Sequence, residues 1–136
     1  MARATAENNG PLSRIVVRYA DMMERLVAKA KENGFTAADW EPLAELVAVD
    51  EFKRVGCFRE VMSWSEYTAF LTGWACSTAF ASTLRRITEV PGLVYYEIEE
   101  RHTREGQLTV VDTLSVFEFN KAGKLCKLNV YLQREL

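Results

Sequence analysis

The chain is poor in the residues that most often announce a chemistry. It has one histidine, three cysteines and three prolines in 136 residues. The cysteines, Cys57, Cys76 and Cys126, are odd in number and widely spaced. That pattern excludes a disulfide framework and lacks the spacing of zinc ligands, so three reduced thiols and a cytoplasmic location are expected, with no metal. A catalytic thiol needs a basic partner, and His102 is the sole imidazole. No apolar run approaches the roughly 18 residues of a membrane span, so no membrane partner is expected. The formal net charge is -2, and Lys and Arg are scattered rather than clustered. No nucleic-acid footprint and no polybasic membrane patch is present. There is no phosphate-binding glycine loop, nucleophile elbow or dinucleotide fingerprint, and no cofactor is expected. Residues Met1–Gly10 lack the apolar core of a signal peptide and are expected to form a flexible leader to one domain, 11–136.

What is present is patterning. Hydrophobic residues make up 49% and charged residues 26%, the mix of an ordinary globular domain. Leu12, Ile15, Val16, Tyr19, Met23, Leu26, Val27 and Ala30 recur at helical spacing. They predict a first helix over Pro11–Glu32, stopped by Asn33-Gly34, where glycine takes the left-handed position. Asp39 is the expected N-cap of a second helix, with Pro42 in its first turn and Trp40, Leu43, Ala44 and Val47 on its apolar face. Glu51–Phe58 is expected to be a strand. Ser63 and Glu66 have capping-box spacing for a third helix, which buries Tyr67, Phe70, Leu71 and Trp74.

Beyond Thr78 the period changes to two. Strands are expected over Phe80–Glu89, Leu93–Thr103, Leu108–Phe119 and Lys124–Leu132. Pro91-Gly92 suits a type II turn. The alternation puts Val94, Tyr96 and Ile98 on one face, and Glu97, Glu99 and Arg101 on the other. On the next strands Val111, Thr113, Ser115, Phe117 and Phe119 face inward with Leu128, Val130 and Leu132, while Asp112 and Glu118 face out. Helices first and a meander last indicate an α+β fold: a curved antiparallel sheet wrapped around three N-terminal helices.

The segments Val116–Leu125 and Leu128–Tyr131, with Val16-Val17-Arg18-Tyr19 on the first helix, resemble the nuclear transport factor two-like superfamily. The resemblance is to its SnoaL-like and ketosteroid-isomerase-like branch, and it runs over most of the chain from about Leu12. It implies a cystatin-like, cone-shaped roll whose pocket binds a hydrophobic small molecule. It also implies a homodimer through the outer sheet face. Two functions are compatible with that family: a cofactor-independent isomerase, cyclase or hydratase/dehydratase, or a non-catalytic ligand-binding or dimerisation module. In the isomerases a tyrosine and a protonated aspartate hold an oxyanion, and a second aspartate moves the proton. Tyr19 matches the tyrosine. The oxyanion aspartate position falls on Ser115, and the base position falls near Lys53 or Arg54. The catalytic carboxylates of the ketosteroid isomerases are therefore missing.

The same register places Ile98, Glu100 and His102 on the pocket side of their strand. Period two keeps Glu100 and His102 on one face, about 6–7 Å apart at Cα, so the carboxylate can orient the imidazole as an acid–base pair. The candidate catalytic residues are Tyr19, Glu100, His102 and Ser115. The candidate ligand contacts are Trp40, Ile98, Thr113, Phe117, Leu128 and Val130.

Overall fold

A computed structural model of the chain describes residues 10–135. The expected leader lies outside the described residues except for Gly10. Helix α1 (Pro11–Lys29) opens on Pro11, whose missing N–H costs nothing in the first turn. Gly10 offers no side chain to cap it. A distant residue does the capping instead: Glu89 Oε1 accepts from the Ser13 amide at 2.7 Å and from the Ser13 hydroxyl at 2.8 Å. This ties the positive end of the helix dipole to the sheet. The helix stops at Lys29, three residues short of the expected Glu32, because the chain turns before it reaches Gly34 at φ 86°.

The second helix differs more from expectation. Residues Ala37–Trp40 form a 3-10 turn that runs into a four-residue helix, α2 (Glu41–Ala44). Asp39 is not the N-cap of that helix; Trp40 is. Thr36 caps the 3-10 turn, and the Asp39 carboxylate reaches back to the Thr36 amide at 2.7 Å as the far half of a capping box. In α3 (Trp64–Ala75), Ser63 and Glu66 form the box that their spacing predicts. Its buried face holds Tyr67, Thr68, Leu71 and Ala75. Phe70, expected inside, is exposed, because it lies one position off that stripe and over an opening rather than over the sheet.

The sheet has six strands in the order β2-β1-β6-β5-β4-β3. They are β1 (Lys53–Val55), β2 (Val61–Met62), β3 (Ala79–Val90), β4 (Leu93–Arg104), β5 (Gln107–Phe119) and β6 (Leu125–Gln133). The four long strands form the expected antiparallel meander. The expected strand Glu51–Phe58 shrinks to three residues, because Gly56 ends the pairing, and β1 joins β6 in parallel. The sheet is therefore mixed at that one junction. In β3 the register shifts between Leu84 and Arg86, and the bulge puts Arg85 and Arg86 both on the outer face. There they pair with Glu99 and Glu97.

The turn between β4 and β5 has φ 52° at Glu105 and 78° at Gly106. Both central residues of this two-residue loop are left-handed, the mirror-image turn that matches strand twist. The three cysteines are free thiols. Among the described residues no helix is long and apolar enough to cross a membrane.

Candidate functional site

Twist and bulges curl the long strands, and α1 and α3 lie on the inner face. The elements do not close completely, and a cavity of about 1060 Å³ remains between them. Its apolar walls come from alternation: Tyr96 and Ile98 on β4, Val111 and Phe117 on β5, Leu128 and Val130 on β6. Tyr19 and Met23 of α1 and Tyr67, Leu71 and Trp74 of α3 cover the opposite side. The exposed rings of Phe58 and Phe70 belong to its rim.

Tyr19, Glu100, His102 and Ser115 line this one cavity, with Ile98, Thr113, Phe117, Leu128 and Val130. Trp40 does not. It is fully buried, stacked edge-on against Phe35 with ring centroids 5.3 Å apart, and its indole Nε1 donates to Thr72 Oγ1 at 3.0 Å. The expected ligand contact is thus a packing residue between the second helix and α3. Its position at the end of a 3-10 turn, rather than on a long helix, turns it away from the sheet.

Of the four candidate catalytic residues, two touch. His102 Nε2 lies 2.9 Å from Glu100 Oε1. The other carboxylate oxygen accepts from Thr113 Oγ1 at 3.0 Å. A carboxylate oxygen accepts, so in this contact the hydrogen sits on His102 Nε2. The imidazole is also wedged edge-on between Trp74, at 5.6 Å, and Phe80, at 5.2 Å. Strand register explains the set: Glu100 faces Val111 and Ser82, and His102 faces Phe80 and Thr109.

Tyr19 lies elsewhere on the wall. Its ring meets Phe117 edge-on at 5.6 Å. Burial and the neighbouring Tyr67 push its hydroxyl well above the usual tyrosine range. Tyr67 is raised mainly by burial. Both are neutral hydrogen-bond donors at ordinary pH. The Tyr19 hydroxyl meets that of Tyr67 too loosely for a formed hydrogen bond, and it is left unsatisfied. Ser115 sits between Tyr96 and Val130 of the flanking strands, away from the tyrosine pair.

Further polar residues join the wall, among them Arg54, Glu60, Tyr67, Arg104 and Arg134. Lys53 and Arg54 are the residues near which the resemblance puts the isomerase base, and neither is a carboxylate. The signal for Arg54 was the alternation Phe52, Arg54 on β1: Phe52 is buried, so Arg54 shares its inward face. Among the described residues no group of histidine, cysteine and carboxylate side chains suits a metal ion.

No family model and no curated protein matches the sequence. Solved structures do match its fold. A candidate SnoaL-like polyketide cyclase from Shewanella putrefaciens superposes with a TM-score of 0.70 at 10% identity, over 95% of this chain and 85% of that one. A candidate isomerase from Rhodopseudomonas palustris gives 0.68 at 13% identity, over 88% and 90%. An LEH-like epoxide hydrolase of M. tuberculosis gives 0.60 at 13% identity, over 82% and 84%.

Proposed function

We propose, for a chain that has the nuclear transport factor two-like fold, that the cavity binds an apolar small molecule and that His102, oriented by Glu100, moves a proton on it. The chemistry that suits one acid–base pair without a cofactor is isomerisation, cyclisation or hydration and dehydration. The similar structures bear names from that range: a cyclase, an isomerase and an epoxide hydrolase. The observation that carries the reading is the 2.9 Å contact between His102 and Glu100 on the wall of a largely apolar cavity. Thr113 fixes the carboxylate, and the rings of Trp74 and Phe80 fix the imidazole, so the pair is preorganised. Tyr19 and Ser115 are the candidate hydroxyls for polarising a ligand oxygen.

His102 is the only histidine, so its ring nitrogens give an unambiguous NMR signature. Nε2 is expected to be protonated and Nδ1 bare in the free protein. Both resonances are expected to move when 2-tetralone or δ-decalactone enters the cavity. Ring nitrogens indifferent to every bound probe would sink the proton-transfer role.

The alternative is a non-catalytic ligand-binding or dimerisation module. The packing of His102 between two aromatic rings favours it, since a ring held there also serves structure alone. Both functions come with a homodimer across the outer sheet face. That face carries the ion pairs Arg85–Glu99 and Arg86–Glu97, and beside them the exposed side chains of Tyr131 and Val110. Sedimentation at micromolar concentration is expected to give twice the chain mass. A single species at monomer mass would remove the dimer.

A further inference from the structure

Arg54 lies on the wall of an apolar cavity and makes no ion pair among the described residues. Its guanidinium carbon stands 5.0 Å from the centre of the Tyr67 ring, and its Nε is buried without a hydrogen-bond partner. Among the described residues the buried side-chain polar atoms left without partners are Tyr19 Oη, Arg54 Nε and Thr78 Oγ1, and all three residues line this cavity. Buried polar groups in a native protein are almost always satisfied, so three unsatisfied atoms on one cavity wall are an exception. A ligand that supplies the missing acceptor resolves the exception.

The donors set its chemistry. A guanidinium offers N–H groups in a plane and accepts nothing, and the phenols of Tyr19 and Tyr67 are held neutral by burial. The complement is a planar anion with two oxygens, which guanidinium binds through paired N–H contacts. We propose that Arg54, with the Tyr19 hydroxyl, is a carboxylate-binding subsite, and that the ligand is an apolar carboxylic acid.

The sheet register separates this subsite from the His102–Glu100 pair. Arg54 lies beside Leu128, which faces Phe117, whereas Glu100 faces Val111. Six residues of β5 between those rows span about 20 Å of strand, shortened by the side chains that lean inward. A ring system or chain fits between the two polar ends, and a two-carbon acid does not. The Glu100 carboxylate repels a ligand anion, and of the arginines that line the cavity Arg54 is the one with a buried donor left unsatisfied, so the acid group is directed to the Arg54 end. This assignment deepens the small-molecule reading and rests on it.

The test is calorimetric, with full-length protein and matched probes: 2-naphthylacetic acid, its neutral amide, and 2-naphthylmethylphosphonate. Wild type is expected to bind the acid at least tenfold tighter than the amide, with the phosphonate weaker than the acid. Arg54→Gln is expected to bring the acid-to-amide ratio near one while amide affinity stays within twofold. Arg54→Met supplies the same readout if the glutamine variant folds poorly. Equal affinities for acid and amide in wild type, or a preference that survives in both variants, would overturn the subsite and leave the apolar pocket standing. A phosphonate that binds tighter than the acid would overturn the carboxylate assignment. If wild type binds none of the three, the subsite and the small-molecule reading fall together.

Discussion

Trp40→Ala is expected to cost about 3–5 kcal/mol of stability, the range for emptying a buried tryptophan site. The residue is 0% exposed. Removing the indole opens a void where the second helix meets α3, and neither element can collapse to fill it. The 3-10 turn is pinned by the Thr36–Asp39 box, and α3 by the Ser63–Glu66 box and by its packing on the sheet. The edge-on contact with Phe35 disappears as well. Loss of the hydrogen bond to Thr72 matters less. Thr72 Oγ1 still donates to the Thr68 carbonyl at 2.7 Å, so no buried donor is orphaned. Trp40→Phe separates the two contributions, since it keeps most of the volume and loses the bond, at about 1 kcal/mol. A domain of this size has about 5–15 kcal/mol to lose, so the alanine variant approaches the folding threshold. Urea denaturation checks it: the midpoint falls and the slope is unchanged. Ligand affinity of the folded fraction is expected to be intact, because Trp40 lies off the cavity wall. An alanine variant within 1 kcal/mol of wild type would mean that the seam is far more compliant than this packing implies.

The sheet was far more legible in the sequence than the helical layer. In the meander each strand buries one face and wets the other, so period two in the residues becomes register in space. Val111, Thr113, Ser115 and Phe117 are buried and Asp112 is exposed, as the alternation requires. Where the period breaks, at the Leu84–Arg86 bulge, no residue type signals it in advance. The residues between Gly34 and Met62 were harder, because they are short pieces held by tertiary contacts rather than by their own periodicity. Asp39 shows why. An acid before a hydrophobic run is as good a cap as it is the third residue of a capping box, and only the position of Thr36 decides. Trp40 then looked like a pocket residue because a longer helix would have aimed it at the sheet.

The site divides along the same line. Glu100, His102 and Thr113 are one or two strand positions apart along or across the register, and their meeting follows from pairing alone. Arg54 and Tyr67 come from a three-residue strand and a neighbouring helix, with the guanidinium carbon 5.0 Å from the ring centre. Nothing local brings them together; the parallel junction of β1 with β6 and the lie of α3 do. The resemblance puts a carboxylate near Lys53 or Arg54, and the fold brings the Arg54 side chain to the cavity wall instead.

Glu100→Ala is expected to slow the α-proton exchange on 2-tetralone that the proposed proton transfer entails by a factor of about 100 or more, the lower end of what a positioned general base contributes. The carboxylate has two bonds, to His102 Nε2 and to Thr113 Oγ1, and alanine removes both. The imidazole is then free to take the other tautomer, with a hydrogen on the nitrogen that should hold the lone pair. His102→Phe keeps the aromatic contacts with Trp74 and Phe80 and removes the base altogether. It is expected to lose at least as much. The double variant is expected to be no slower than His102→Phe alone, because a carboxylate that works only through the imidazole has nothing left to orient. Affinity for 2-tetralone should change severalfold at most in each variant, so that the loss appears in rate rather than binding. Deuterium incorporation followed by NMR gives every value in the cycle. Additive losses would make Glu100 an independent base rather than a positioning residue. A His102→Phe protein that still exchanges at the wild-type rate would end proton transfer by this pair and leave the ligand-binding module as the function of the cavity.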